Sequence, residues 1–131
     1  MATTRGRLVQ INQVILDQAD FFQLDGFTRV PGLTPTDLTG QLFFNNLLQP
    51  WPLILGSGVS DALVKSGNVY WNEVSGSTGI YNVRFRPNAM GYWRLLITYP
   101  VGTQIMAQDF DVVSQIPLVE SGLKASFVKD P

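Results

Sequence analysis

Residues 79–87 read Gly79-Ile80-Tyr81-Asn82-Val83-Arg84-Phe85-Arg86-Pro87, and residues 91–99 read Gly91-Tyr92-Trp93-Arg94-Leu95-Leu96-Ile97-Thr98-Tyr99. In the first stretch Tyr81, Val83 and Phe85 fall on one side and Asn82, Arg84 and Arg86 on the other, the period of two of a half-buried β-strand. Pro87 withholds a ladder N–H and ends it. The second stretch repeats the alternation, with Trp93, Leu95, Ile97 and Tyr99 on the expected inner face. If the short link between them crosses between two sheets, Arg84 and Arg86 lie on the opposite outer face from Arg94. If it is a plain hairpin, all three share a face.

The same period extends in both directions. Leu38, Gly40, Leu42 and Phe44 alternate with Thr39, Gln41, Phe43 and Asn45, predicting a strand that ends at an Asn45-Asn46 turn. Residues 51–55 form a second extended piece, which Pro50 and Pro52 mark as an edge or an irregular segment. Residues 59–64 are expected as a short strand and residues 69–74 as another, bounded by glycine-serine turns. Beyond Pro100-Val101-Gly102, Met106, Phe110 and Val112 line the inner face of a last strand. Short strands at roughly ten-residue spacing, with no convincing amphipathic helix, indicate an all-β sandwich or barrel.

The flanks read differently. Residues 1–18 mix polar residues with Leu8, Val9, Ile11, Val14 and Ile15, and are expected as an N-terminal arm, extended or a strand. The sandwich domain is placed at 19–113. Residues 114–131 are a C-terminal tail that still carries Ile116, Leu118, Leu123 and Phe127, too many apolar residues to stay in water.

Composition narrows the chemistry. The chain has 131 residues, of which 45 % are hydrophobic and 15 % charged, so it suits one folded domain and not a disordered segment. It contains no cysteine and no histidine, which removes disulfides, thiolate nucleophiles, Cys/His zinc sites and imidazole acid–base chemistry. Nine Lys and Arg against ten Asp and Glu, scattered along the chain, do not form a phosphate-binding face. No apolar run approaches the roughly 20 residues of a membrane span. The start of the chain lacks the apolar segment of a signal peptide, so synthesis in the cytoplasm is expected.

The strand pair G-I-Y-N-V-R-F-R-P and G-Y-W-R-L-L-I-T-Y resembles the penultimate strands of immunoglobulin-like modules of the filamin and bacterial-adhesin type. A longer stretch, from L-T-P-T-D-L-T through V-Y-W-N-E-V to D-F-D-V, resembles accessory virion proteins of tailed bacteriophages. The resemblance implies an immunoglobulin-like β-sandwich and a non-enzymatic structural virion protein. The first expectation is a capsid decoration or cement protein that docks on and bridges major capsid subunits. The alternative is a tail, baseplate or fibre component, including a carbohydrate-binding adhesion module. It implies a place on the capsid surface or tail, with other virion proteins and further copies of itself as partners. No nucleic acid, membrane, small-molecule substrate, cofactor or metal is expected.

Individual residues are weighed against that background. Asp109 and Asp111 share a strand face, but their flanks lack the ligand set of a calcium loop, and a cross-strand pair with Arg94 accounts for them. Serines near glycines, such as Ser57 and Ser60, have no histidine to activate them. In Tyr70-Trp71 and Tyr92-Trp93, one aromatic of each pair should fill the core and the other stand partly exposed as a platform for a sugar or a protein. The expected interface residues are Leu8, Val9, Ile11 and Val14 of the arm, Trp51 held rigid between two prolines, and Arg84 and Arg86 as a patch for acidic groups.

Overall fold

The computed structural model describes residues 6–56, 60–76 and 78–114. They form nine strands: β1 (Arg7–Gln10), β2 (Ile15–Ala19), β3 (Thr39–Phe44), β4 (Leu47–Gln49), β5 (Leu53–Leu55), β6 (Val69–Glu73), β7 (Tyr81–Phe85), β8 (Gly91–Tyr99) and β9 (Gln104–Val113). Two sheets pack face to face, a five-stranded one in the order β1-β9-β8-β3-β4 and a four-stranded one in the order β2-β7-β6-β5. The protein is an all-β sandwich. Among the described residues no helix is long and apolar enough to cross a membrane.

The core is the set of inward positions that the alternation predicts. Tyr81, Val83 and Phe85 of β7 face Trp93, Leu95 and Ile97 of β8, with Trp71, Leu42, Phe110 and Val112 completing the layer, all of them buried. Aromatic contacts fill the interior: within one sheet Trp71 stacks on Tyr81 at 4.6 Å, and between the sheets Phe85 meets Phe110 edge-on at 5.5 Å. The link from β7 to β8 does cross between the sheets, so Arg84 and Arg94 lie on opposite outer faces. Pro87 starts the crossing. The indole N–H of Trp93 fastens it by donating to the Ala89 carbonyl at 2.9 Å.

At Gly91, where β8 begins, φ is +143° and a Cβ would lie 2.8 Å from the side chains of Asn45 and Phe44, so only glycine fits. Asn45 and Asn46, both at positive φ, make the two-residue turn between β3 and β4. Pro50 and Pro52 then carry the chain to β5, an edge strand parallel to β6. Prolines suit this position because neither segment needs their missing N–H.

Four expectations are corrected. Residues 7–19 are not a free arm. β1 pairs in parallel with β9, β2 pairs antiparallel with β7, and the turn at Asn12 (φ 64°) moves the chain from one sheet to the other. Val9 and Ile15 are needed inside and are buried at 3 % and 2 % exposure, so the sandwich begins at β1 and not at residue 19. Residues 61–63 form a 3-10 turn, closed by Leu63 N–H on the Ser60 carbonyl, in place of a strand. Ser, Asp and Ala there have little strand preference, and Val64 alone turns inward. Tyr70 and Tyr92 are buried at 9 % and 7 %, so neither Tyr-Trp pair presents a platform. Gly56 packs against the Tyr70 ring, and the Lys65 N–H donates to its hydroxyl at 3.3 Å. Finally, residues 47–49 form a strand that the proline-rich run concealed. Residues 1–5 of the expected arm and Ile116, Leu118, Leu123 and Phe127 of the expected tail lie outside the described residues.

Candidate docking surface

The longest connection between strands among the described residues, residues 20–38 between β2 and β3, lies at the end of the sandwich where β8 finishes and β9 begins. Its one regular helical element is a 3-10 turn at Pro35–Asp37, and connections of this length are uncommon in a small domain and mostly functional. This one is well anchored. Phe21 inserts beside Trp71 and Tyr99, with ring centroids at 6.4 and 5.7 Å. The Leu33 carbonyl accepts from the Trp71 indole at 2.9 Å, and its N–H donates to the Tyr81 hydroxyl at 3.0 Å. That hydroxyl in turn donates to the Val30 carbonyl at 2.6 Å. Burial, the largest cause, pushes the Tyr81 phenol above its ordinary pKa, so it remains the donor this network needs. Glu73 accepts from the N–H groups of Gly32 and Gly79, holding the neighbouring turn at the same end.

Above the anchors, the chain forms a small hairpin. Phe22 bridges Arg29, the Gln23 N–H donates to the Thr28 carbonyl at 2.8 Å, and Gly26 (φ +83°) supplies the left-handed position at the apex. Asp25 closes it from inside. Its carboxylate accepts the Phe27 and Thr28 N–H groups, both at 2.9 Å, and the Thr28 hydroxyl. These bonds, the Thr28 hydroxyl first, hold the Asp25 carboxyl below its usual pKa. Gln104 at the start of β9 clamps the base: its side-chain amide accepts the Phe22 N–H at 2.7 Å and donates to the Phe22 carbonyl at 2.6 Å.

What this fixed hairpin presents is apolar. Leu24 is 83 % exposed and Phe27 78 % exposed, and Val101 and Ile105, where β8 passes into β9, are exposed at the same end. A recess of about 310 Å³ lined by Phe22, Leu24, Gly102 and Gln104 opens between the hairpin and the β8–β9 turn. The same end of the sandwich carries Asp20, Asp25, Asp37 and Glu73, with Arg29, paired to Asp20 at 3.1 Å, as its one cation among the described residues. Such an arrangement has groups to bind a surface.

The residues that sequence reasoning selected are mostly engaged within the fold. Val9 is in the core, Ile11 packs against it, and Leu8 and Val14 are half-buried. Trp51 leans on Trp93 at 5.3 Å and on Phe85 at 6.4 Å, filling the gap where the chain changes sheets. Arg84 reaches Asp61 at 3.5 Å and Asn72 at 3.3 Å. Arg86 donates to three backbone carbonyls, those of Val64 (2.8 Å), Asn12 (2.6 Å) and Asp61 (2.8 Å). Arg94 pairs with Asp109 at 3.5 Å, and Asp111 accepts the Gly6 N–H. Leu24 and Phe27 were missed, although the sequence marks them: they flank Asp25-Gly26, a turn signal that places its neighbours at the surface.

No protein-family model matches the chain, and no curated protein matches it.

Proposed function

We propose that this chain is a non-enzymatic structural module that docks into a larger protein assembly through its loop end. One observation carries the reading. Leu24 and Phe27 are held outward by a hydrogen-bonded apex and are not folded back against the domain. A mobile loop would lose conformational freedom on binding, whereas this one has already lost it, so more of the contact energy remains for affinity. Fully burying two such side chains is worth roughly 1.5–3 kcal/mol each. That suits a contact repeated many times over an ordered surface, where weak sites add through multivalency.

The finer reading is an immunoglobulin-like sandwich of a tailed-phage virion, in the first place a capsid decoration or cement protein. The resemblance in sequence supports it. So does the strand order, with β3, β8 and β9 in one sheet and β2, β7 and β6 in the other, as in the CFG and BED groupings of such domains. A glycan-binding role has less support, because Trp51, Trp71, Tyr70, Tyr92 and Trp93 all face inward or are covered.

The test places a photo-cross-linking amino acid at position 27, and for comparison at position 82 on the outer face of β7, in the full chain within its native particles. Cross-links from 27 to one structural protein, absent from 82, are expected. Absence of the chain from purified virions ends the virion assignment, and absence of cross-links from 27 ends the docking assignment.

A further inference from the structure

The two ends of the sandwich differ in charge and agree in apolar exposure. The loop end carries Asp20, Asp25, Asp37 and Glu73 against Arg29 among the described residues. At the other end, where β7 finishes and β8 begins, Arg86 draws in the turn at 61–64, and among the described residues Lys65, Arg84 and Arg86 stand against Asp61, which pairs with Arg84, and Asp111. The carbonyls that hold Arg86 are neutral, so they satisfy its N–H groups without cancelling its charge. Lys65 is exposed. At the same end, Leu63 of the 61–64 turn and Met90 of the β7–β8 link are 60 % and 56 % exposed. β8 alone has nine residues, so the ends are separated by about 30 Å and cannot meet within one chain.

We infer that copies of this chain stack end to end, the apolar, acidic hairpin of one seating on the Leu63, Met90 and Lys65 surface of the next. The occupant is a second copy because one chain carries both halves of a complementary pair. The contact is heterologous: different surfaces meet, a pair of copies keeps one of each unused, and the series either closes into a ring or continues. Opposite charges steer the encounter and make it sensitive to salt. This deepens the docking proposal by naming the hairpin's partner, and rests on it.

The experiment is sedimentation velocity on the full chain over a concentration series, at ionic strengths of about 0.01 M and about 1 M, between which the Debye length falls from roughly 30 Å to roughly 3 Å. The wild-type mass should rise with concentration past that of a dimer, with association weakened at least tenfold in high salt. Two variants then dissect the contact, Phe27→Asp at the hairpin and Leu63→Ser/Lys65→Glu at the opposite end, each checked for an unchanged circular dichroism spectrum. Each alone should associate at least tenfold more weakly. An equimolar mixture should form a dimer and nothing larger, since each variant keeps the surface that the other has lost. A wild-type chain that stays monomeric throughout, association indifferent to both variants, or a mixture that fails to dimerise overturns the inference. A monomeric wild type that still cross-links through position 27 in its particles leaves the docking proposal standing and removes only the self-stacking.

Discussion

Replacing Arg86 by methionine keeps most of the alkyl stem and deletes the guanidinium that joins three separate pieces of chain. Its Nε and two terminal nitrogens donate to the carbonyls of Val64, Asn12 and Asp61 at 2.6–2.8 Å, tying the β1–β2 turn and the 61–64 turn to the end of β7. A hydrogen bond from a charged donor contributes about 1.5–3 kcal/mol where it is shielded, and less where water replaces the partner. The bond to Val64 is partly buried and the other two are exposed, so the sum is about 3 kcal/mol. With an unfolding entropy of about 2 cal/mol/K per residue, that lowers the Tm by roughly 10–15 °C. Urea unfolding followed by tryptophan fluorescence measures it directly, because Trp71 and Trp93 are buried and Trp51 packs against the core. The midpoint should fall while the slope stays constant. Arg86→Lys should recover about a third, since an ammonium cannot span the fork. A loss below about 1 kcal/mol for Arg86→Met, combined with loss of partner binding, would show that Arg86 serves docking after all and refute the structural role.

Other substitutions probe separate parts of the argument. Trp71→Phe removes the indole N–H from the buried Leu33 carbonyl and should cost about 2–3 kcal/mol in chemical denaturation. Gly6→Ala would place a Cβ 2.1 Å from the Asp109 carbonyl oxygen, so β1 should be displaced. Amide exchange at Val9 and Ile11, whose N–H groups face β9, should then accelerate, with β8–β9 protection retained. Asp25 has a lowered pKa, so its staple is complete above pH 3.8, where a free aspartate titrates, and is lost as pH falls through the lower folded value. An NMR titration should find that value below 3.8, and Thr28→Val should raise it. Asp17 has the opposite sign: burial raises its pKa despite the Arg7 pair at 3.2 Å, so its contribution to stability falls as pH rises from 3.8 through the folded value. Asp17→Asn should therefore leave stability at neutral pH unchanged or higher, and a clear loss would contradict the dominance of burial.

The strands that were legible are those whose two faces meet different surroundings along their whole length. β7 and β8 alternate because one side meets the opposite sheet and the other meets solvent, and the same holds for β3 and the last residues of β9. β1 and β2 resisted reading for a physical reason. Their inward residues, Val9 and Ile15, belong to different sheets, and the turn at Asn12 resets the period between them, so five apolar residues in a short span match neither one strand nor one helix. β4 has three residues, and Pro50 follows it directly, too little for any period to register. At residues 59–64 the apolar ends suggested a strand, but Asp61–Leu63 close a 3-10 turn that delivers Val64 to the interior, where it is buried.

The docking surface was harder to read than the fold because folding takes the chemically distinctive residues first. Arginine and tryptophan are the commonest anchors of interfaces, and they are also the groups best able to fill a gap between sheets or to satisfy several stray carbonyls. Here Trp51 closes the passage between β4 and β5, and Arg86 gathers two turns, so neither is available to a partner without loosening the domain. What remains for contact are residues that backbone chemistry forces outward. Asp25 and Gly26 commit their hairpin to the surface whatever flanks them, and Leu24 and Phe27 flank them. A turn signal with a bulky apolar residue on each side is thus a more direct sign of docking than a count of aromatic or basic residues. The turn establishes exposure from local physics alone, and two large exposed apolar groups on a rigid apex are a cost in water that a partner removes.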